Sequence, residues 1–250
     1  MTSESKPSHI TRESLQSWRV ARLARERDGA NTTIASEDQL LESRRAMIPD
    51  DTDCRDLWVF GYGSLINSNS RSITGITGEG IPVRINKIKR SWCATSKANP
   101  MASVGIESDI NCSCNGVLFP IDQKELSKFD ARETGYYREF LPKSQINFLS
   151  EDILIGEDVW IYFAKQTNHP CPNQPIVQSY VDVIIEGCLE ISLDFTAEFL
   201  KTTTGWEYTW IDDRLFPKYP RPLDNSNTYQ KIDRIIQNMI PGLLDHRTAA

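Results

Sequence analysis

The sequence predicts an α+β protein in which a cluster of short strands lies between two helical ends. From Leu57 to about residue 165, short apolar runs rich in β-branched and aromatic residues alternate with Gly, Pro and Asn. After a proline-rich break at residues 169–175, apolar residues recur with a helical period instead. The strands follow one another too closely for a helix to connect every pair, which argues against a simple alternation of strands and helices.

Length and composition favour one sizeable core with extensions. The chain has 250 residues, of which 39% are hydrophobic and 25% charged. We expect an N-terminal extension at residues 1–55, a strand-rich domain at 56–168, and a helical extension at 169–250 that packs on it. No apolar run approaches the roughly 20 residues of a membrane helix. A net charge of −6 argues against nucleic-acid binding. The expected ligand is therefore a small molecule, with neither membrane nor nucleic acid as a partner.

The N-terminal extension is polar and is predicted to contain two helices. In the first, four apolar residues share a stretch with five arginines, which is typical of a basic amphipathic helix. The second covers residues 36–47. Arginine-rich starts also occur in organelle transit peptides, but Glu4, Glu13 and Glu26 depart from their acid-poor composition. We favour a docked or partly disordered extension and, with no apolar secretory segment at the start, a reducing cytoplasmic location.

Six strands and one helix are predicted in the central region. The strands cover residues 57–62, 83–95, 102–107, 115–121, 137–145 and 158–164. Residues 122–132 are predicted to be a helix, because Asp122 can cap its N-terminus and Glu125 follows three residues later. Further helices are predicted at residues 177–189, 195–202 and 229–240. We interpret the acidic residues between 171 and 213 as a solvated helical face rather than a cation site.

The first candidate site segment is an apolar strand that breaks into a glycine-containing turn. The strand ends at Phe60 and is followed by Gly61, Tyr62, Gly63, Ser64 and Leu65. Two glycines allow a tight turn whose N–H groups can point at an anion or at a developing oxyanion. An ordinary turn at a strand end is the simpler interpretation of the same residues.

The second candidate segment carries a lone carboxylate, Glu133, between the predicted helix 122–132 and a tyrosine-rich strand. Burial beside aromatic rings and the negative end of the helix dipole would both raise the pKa of this carboxyl group, as a general base requires. The simpler interpretation is a surface glutamate paired with Arg132 or Arg138. Together, the two segments predict an acyl-group active site with one acid/base residue and no metal.

These segments resemble the γ-glutamylcyclotransferase-like superfamily over about residues 57 to 165. Members carry a strand that ends in a Tyr-Gly-Ser loop, here Phe60-Gly61-Tyr62-Gly63-Ser64-Leu65. Their later Leu-Asp-x-x-Glu-Gly element, followed by Tyr-x-Arg or Tyr-Arg, is matched by Phe129-Asp130-Ala131-Arg132-Glu133-Thr134-Gly135-Tyr136-Tyr137-Arg138. Residues 115–119 and 159–162 are similar to two further strands of the family. Thr134 replaces a common Gly, and Leu65 stands where some branches have Asn, which leaves the substrate subclass open.

The resemblance implies a small mixed β-barrel flanked by helices and an enzyme without a cofactor. The α-amino group of a γ-glutamyl unit would attack its own side-chain carbonyl, forming 5-oxoproline and releasing an amine, amino acid or dipeptide, as in glutathione metabolism. Glu133 would move a proton from the amine to the leaving nitrogen. The loop of residues 61–65 would bind the glutamyl carboxylate or the carbonyl oxygen.

The resemblance also implies roles for three tyrosines and one arginine. Tyr62, Tyr137 and Tyr162 would hydrogen-bond the substrate, although each ring can also serve the core. Arg138 would orient a carboxylate or close a salt bridge near the site rather than contact the reacting atoms. The leaving group and the oligomeric state stay open at this level.

Other functions fit parts of the sequence. A non-catalytic binding module could use the same scaffold, although Glu133 favours an enzyme. A cysteine-dependent amidohydrolase would need a histidine near the strands, and the three histidines lie outside them at His9, His169 and His246.

Two further groups of residues have a structural and a functional interpretation. Cys112-Ser-Cys114 is a close cysteine pair, but no second pair completes a zinc site. Trp206, Tyr208 and Trp210 either anchor a protein partner or a lid, or attach the C-terminal helices to the strands. We favour the structural interpretation of both groups.

Overall fold

The computed structural model describes residues 57–95, 99–150, 154–155, 158–223 and 226–250. The predicted extension of residues 1–55, with its two helices, lies outside these ranges. A mixed sheet surrounded by helices makes up the described part, which confirms the predicted α+β class. Within the described ranges, every helix is too short or too polar to cross a bilayer.

Ten strands and five α-helices follow one another along the described chain. The strands are β1 (Leu57–Gly61), β2 (Ile81–Ala94), β3 (Ser103–Ile121), β4 (Tyr136–Phe140), β5 (Ile146–Phe148), β6 (Val159–Ala164), β7 (Ile176–Val177), β8 (Thr203–Thr204), β9 (Trp210–Asp212) and β10 (Arg247–Ala249). The helices are α1 (Ser68–Ser72), α2 (Gln123–Arg132), α3 (Gln178–Ile191), α4 (Leu193–Thr202) and α5 (Ser226–Met239). Short 3-10 turns lie at Ser64–Ile66, Lys143–Gln145 and Leu243–His246.

The main sheet is mixed and has the strand order β4-β6-β1-β3-β2-β5, with β8 paired to β2. β1 runs antiparallel to β3 and parallel to β6. All five residues of β1 are buried, as expected for a central strand with both faces covered. β7, β9 and β10 form a second, parallel sheet. The loop after β1 therefore starts from the most enclosed part of the main sheet.

β2 and β3 form one long hairpin of 14- and 19-residue strands. Two register irregularities, which follow Asn86 and Trp92, interrupt their pairing. The two strands predicted at residues 102–107 and 115–121 are therefore parts of the single strand β3. The polar stretch between them hid this continuity, because its side chains are largely solvent-facing and carry no apolar alternation.

The aromatic residues after α4 attach the C-terminal part to the main sheet. Trp92 of β2 packs edge-on against Trp206 with ring centroids 5.1 Å apart, and Trp206 packs against Trp210 at 5.2 Å. Trp210 is fully buried. Tyr208 instead stacks on His169, with centroids 4.4 Å apart. These contacts match the structural interpretation of the aromatic cluster.

Two acidic residues depart from the expected solvated face. Asp182 of α3 is buried and pairs with Arg214 at 2.7 Å. Asp213 is also buried and accepts hydrogen bonds from the Ser179 N–H at 2.8 Å and the Ser179 hydroxyl at 2.6 Å. The solvated interpretation is wrong at these positions, because both carboxylates hold the segment after β9 against α3.

Helix α2 begins as predicted and ends at the candidate base. The Asp122 side chain accepts from the Lys124 N–H at 3.0 Å, which caps the N-terminus. Glu125 does not complete a capping box; its carboxylate accepts from the Ile76 N–H at 2.8 Å. Glu133 is the C-cap, and its N–H donates to the Phe129 carbonyl at 2.9 Å. The helix end thus fixes where the Glu133 side chain starts.

Candidate active site

The loop after β1, the end of α2 and the start of β4 meet around one small pocket that opens to solvent. It is lined by Phe60, Tyr62, Gly63, Ser64, Leu65, Val104, Glu133, Tyr136, Tyr162 and Tyr180. The structure therefore brings Glu133 together with four loop residues and with Tyr162, as the sequence predicts. Gly61, Tyr137 and Arg138 are not among the lining residues.

The two glycines of the loop are required by close approach. A methyl group at Gly63 would lie 2.6 Å from Val104 Cγ2 and 2.9 Å from the Tyr180 hydroxyl oxygen. One at Gly61 would lie 2.7 Å from Leu65 Cβ, so Gly61 allows the turn to fold back closely on itself. Among the described backbone hydrogen bonds, none uses the N–H of Ser64 or of Leu65 as donor. The Leu65 N–H can therefore serve an anionic ligand, whereas the Ser64 N–H contacts the Tyr180 hydroxyl.

Glu133 is a largely buried carboxyl group with a raised pKa. Its side chain is 16% exposed, so it does not lie at the surface. Burial raises the pKa of Glu133 above its ordinary value, and the positive charges of Arg132 and Arg221 offset only part of this effect. A carboxyl group in this state can exchange protons closer to neutral pH than a free glutamate does.

Arg132 connects Glu133 to the glycine loop. Its Nε lies 3.1 Å from a Glu133 carboxylate oxygen, and its Nη2 donates to the Ser64 hydroxyl at 2.9 Å. It also donates to the Ser70 carbonyl at 2.6 Å, which ties it to α1. One guanidinium thus holds the carboxylate and the loop at a fixed separation. The sequence offered Arg132 only as a surface partner of Glu133, because its neighbours in the fold are distant in the chain.

A second set of contacts fixes the tyrosines at the base of the pocket. The Tyr62 hydroxyl donates to the Tyr162 carbonyl at 2.5 Å, and the Tyr162 hydroxyl donates to Asp130 at 2.9 Å. Arg138 lies 3.5 Å from the same Asp130 oxygen, and both side chains are buried. Burial raises the pKa values of Tyr62 and Tyr162 well above the ordinary value, so both hydroxyls stay protonated. Arg138 therefore acts on the pocket through Asp130 and Tyr162.

Tyr137 lies on the outward face of β4. Its side chain is 45% exposed and stacks on Phe163 with centroids 5.9 Å apart. Its neighbour Tyr136 lines the pocket, and the Tyr136 hydroxyl donates to the Val104 carbonyl at 2.9 Å. Successive residues of a strand face opposite sides, so only one tyrosine of the pair can reach the pocket. The sequence analysis named Tyr137 as the substrate-binding member of the pair, whereas Tyr136 is the one that lines the pocket.

Tyr180 of α3 lines the pocket. The sequence pattern predicted only that it belongs to the apolar face of a helix. Burial raises the pKa of the Tyr180 hydroxyl, and contacts with the hydroxyl and the N–H of Ser64 lower it in part. The Tyr180 hydroxyl therefore faces the loop. Its one sequence signal is a hydroxyl on an otherwise apolar helix face, which needs a polar partner.

Metal-binding side chains are not clustered in the described part of the chain: no group of three or more His, Cys, Asp or Glu residues is arranged around a common point there.

The two cysteines of the close pair, Cys112 and Cys114, lie in different environments. Cys114 is fully buried, whereas Cys112 is partly exposed and its thiol donates to Asp109 at 3.3 Å.

No family model and no curated protein matches the chain. A solved structure named "Gamma-glutamyl cyclotransferase" is 15% identical with a TM-score of 0.47, and the match covers 74% of this chain and 99% of that one. An uncharacterized protein from Homo sapiens is also 15% identical with a TM-score of 0.47, and the match covers 73% of this chain and 99% of that one. YkqA from Bacillus subtilis is 15% identical with a TM-score of 0.49, and the match covers 67% of this chain and 60% of that one.

Proposed function

We propose that the protein is a γ-glutamylcyclotransferase-type enzyme, which cyclises a γ-glutamyl group to 5-oxoproline and releases the attached amine, amino acid or dipeptide. The observation that carries the proposal is a carboxyl group of raised pKa, Glu133, in the same pocket as the loop of residues 62–65. The motifs suggest the reaction, and the pocket supplies a base within reach of a substrate held by the loop.

The proposed reaction is a ring closure within one molecule. The substrate α-nitrogen forms a bond to the side-chain carbonyl carbon, and the bond from that carbon to the leaving nitrogen breaks. Because both reacting groups belong to one substrate, the site has only to fold it into a near-attack conformation. The aromatic walls formed by Phe60, Tyr136 and Tyr162 suit this role, since they are buried or hydrogen-bonded and leave little freedom for an extended glutamyl chain.

Glu133 is proposed to carry the proton through the reaction. It takes a proton from the substrate ammonium group, which frees the nitrogen lone pair, and later gives this proton to the leaving nitrogen. The attacking nitrogen loses a further proton to solvent as the ring forms, which leaves the single N–H of 5-oxoproline. A raised pKa suits both steps, because the carboxylate is a stronger base and the carboxylic acid is still available near neutral pH. Arg132 keeps the carboxylate oriented through their 3.1 Å ion pair.

The loop is proposed to stabilise the negative charge that develops on the carbonyl oxygen. The Leu65 N–H has no backbone acceptor in the described structure, the Ser64 N–H contacts the Tyr180 hydroxyl, and the Ser64 hydroxyl accepts from Arg132. Donors held in this way need no rearrangement as the charge appears, and one such donor typically contributes about 100- to 1000-fold in rate.

The proposal is tested by incubating the protein with a panel of γ-glutamyl compounds and measuring 5-oxoproline. We expect release from at least one compound and a loss of about 100-fold or more in Glu133→Gln, since general acid-base groups contribute about 10²- to 10⁴-fold. Glu139→Gln is the matched control, because Glu139 is exposed on β4 and lies outside the pocket. Binding without release would favour a non-catalytic module, and undiminished release by Glu133→Gln would exclude this glutamate as the base.

A further inference from the structure

The 3-10 turn that follows β1 is held by a buried arginine that the mechanism above does not use. Arg71 belongs to α1, and its side chain is buried. One nitrogen of its guanidinium, Nη1, donates to the Leu65 carbonyl at 2.8 Å and to the Ile66 carbonyl at 2.7 Å. Both acceptors belong to the turn Ser64–Ile66, so one side chain binds two successive residues of this turn.

These bonds fix the direction of the Leu65 N–H. Peptide groups in a helical turn lie roughly parallel to its axis, so the N–H and the carbonyl of one residue point in opposite directions. Because the Leu65 carbonyl points at Arg71, the Leu65 N–H points away from it. The preceding N–H, that of Ser64, points the same way and contacts the hydroxyl of the pocket residue Tyr180. The Leu65 N–H is therefore directed to the pocket side of the turn.

A chain of hydrogen bonds also connects Arg71 to the Leu65 N–H. The Ile66 carbonyl, which accepts from Arg71, shares its peptide group with the Asn67 N–H. That N–H donates to the Ser64 carbonyl at 3.3 Å, and this carbonyl shares its peptide group with the Leu65 N–H. Hydrogen bonds in series polarise one another, so a positive charge at one end strengthens the donor at the other end.

The guanidinium of Arg71 has little freedom to move. Its central carbon lies 5.3 Å from the ring centre of Phe119, and a methyl group at Gly80 would lie 3.0 Å from its Nη2. The helix that carries it is tied to the site as well, because the Ser70 carbonyl accepts from Arg132 at 2.6 Å. Arg71 itself is not a lining residue, so it acts on the pocket only through the turn.

We propose that Arg71 is a positioning residue: it holds the Leu65 and Ile66 carbonyls and so directs the Leu65 N–H at the charge that develops on the substrate carbonyl oxygen. This inference rests on the proposed function, which assigns that N–H to the oxygen. An interaction that strengthens as charge develops acts on the transition state more than on the bound substrate. Loss of Arg71 should therefore lower kcat more than it raises KM.

The test compares Arg71→Met and Arg71→Lys in steady-state kinetics of 5-oxoproline release. Methionine is apolar and cannot donate to the carbonyls, so we expect kcat to fall about 10- to 100-fold while KM changes less than about threefold. Lysine should lose only about three- to tenfold in kcat, because one ammonium can donate to both carbonyls but lacks the planar guanidinium. If Arg71→Met does not fold, the kcat of Arg71→Lys decides the question.

Ile236→Ala is the matched control for stability. Ile236 is fully buried in α5 and does not line the pocket, so this variant should unfold at lower temperature but keep kcat within about twofold of wild type. Thermal unfolding gives the folded fraction of each variant at the assay temperature. A second measurement needs no turnover: the amide resonance of Leu65 in the NMR spectrum should shift in Arg71→Met and stay in place in Ile236→Ala.

The possible results separate this inference from the proposed function. A wild-type kcat in folded Arg71→Met or Arg71→Lys, or an unmoved Leu65 resonance in Arg71→Met, would overturn the role of Arg71 alone. Absence of 5-oxoproline release by the wild-type protein would overturn the proposed function. The Leu65 resonance would then still decide whether Arg71 directs this N–H.

Discussion

Replacing Gly63 by alanine should damage both the pocket and the stability of the fold. The new methyl group would lie 2.6 Å from Val104 Cγ2 and 2.9 Å from the Tyr180 hydroxyl oxygen, inside ordinary contact distance on two sides. Val104 belongs to β3 and Tyr180 to α3, so neither wall can move without shifting a packed element. Overpacking of this kind costs about 1 to 3 kcal/mol of unfolding free energy. For a chain of this size, that corresponds to a decrease of about 2 to 12 °C in Tm.

The effect of Gly63→Ala on activity should exceed its effect on stability. A displacement of about 1 Å in a positioning group can reduce the rate about 100-fold, and the loop carries the donors assigned to the carbonyl oxygen. Calorimetry gives Tm, and 5-oxoproline release gives kcat/KM. Gly135→Ala is the matched control, because a methyl group at Gly135 would meet nothing within 4 Å. If Gly63→Ala equals Gly135→Ala in both measurements, the loop does not have the tight geometry described above.

Three other predictions concern proton transfer, core stability and the two tyrosines. First, kcat/KM should fall with decreasing pH as Glu133 becomes protonated, with a midpoint above the ordinary glutamate pKa. Arg221→Gln should move this midpoint to higher pH, because a positive charge that lowers the pKa of Glu133 is lost. A midpoint at the ordinary glutamate pKa would contradict this prediction. Second, Arg90 is fully buried and donates to the Asn115 and Tyr62 carbonyls at 2.6 and 3.3 Å. In denaturant titrations, Arg90→Met should therefore lose about 3 to 5 kcal/mol, and the neighbouring Lys89→Met less than about 1 kcal/mol. Third, Tyr162→Phe should lose about 1 kcal/mol and reduce kcat, whereas Tyr137→Phe on the outward face should change neither; equal effects would contradict the assignment of faces.

The order of elements in the strand-rich region could be predicted from local patterns. Apolar runs with β-branched residues marked β1 and β6, and the Asp122 cap marked the start of α2. The continuity of β3 could not be predicted in this way. Its middle part is held by pairing with β2 rather than by burial, and such pairing leaves no apolar alternation in the sequence.

The candidate site was predictable where one short segment supplies both backbone and side chain. The loop of residues 62–65 and Glu133 are of this kind, and they share one pocket. Arg132 was missed as a site residue because the Ser64 and Ser70 groups that it contacts lie far away in the chain. Tyr136 was missed because two adjacent tyrosines are equivalent in a motif until the register of β4 against β6 decides which one faces inward.

The central claim is that the pocket closes a γ-glutamyl unit into a ring, and the nature of the product tests it most directly. One γ-glutamyl substrate that is turned over should be analysed for 5-oxoproline, free glutamate and the released amine. We predict 5-oxoproline and amine in equal amounts, and about 100-fold less of both, or lower still, with Glu133→Gln at the same enzyme concentration. Glutamate as the main product would indicate attack by water instead of the substrate amine and would contradict the account, as would 5-oxoproline formed at the wild-type rate by Glu133→Gln.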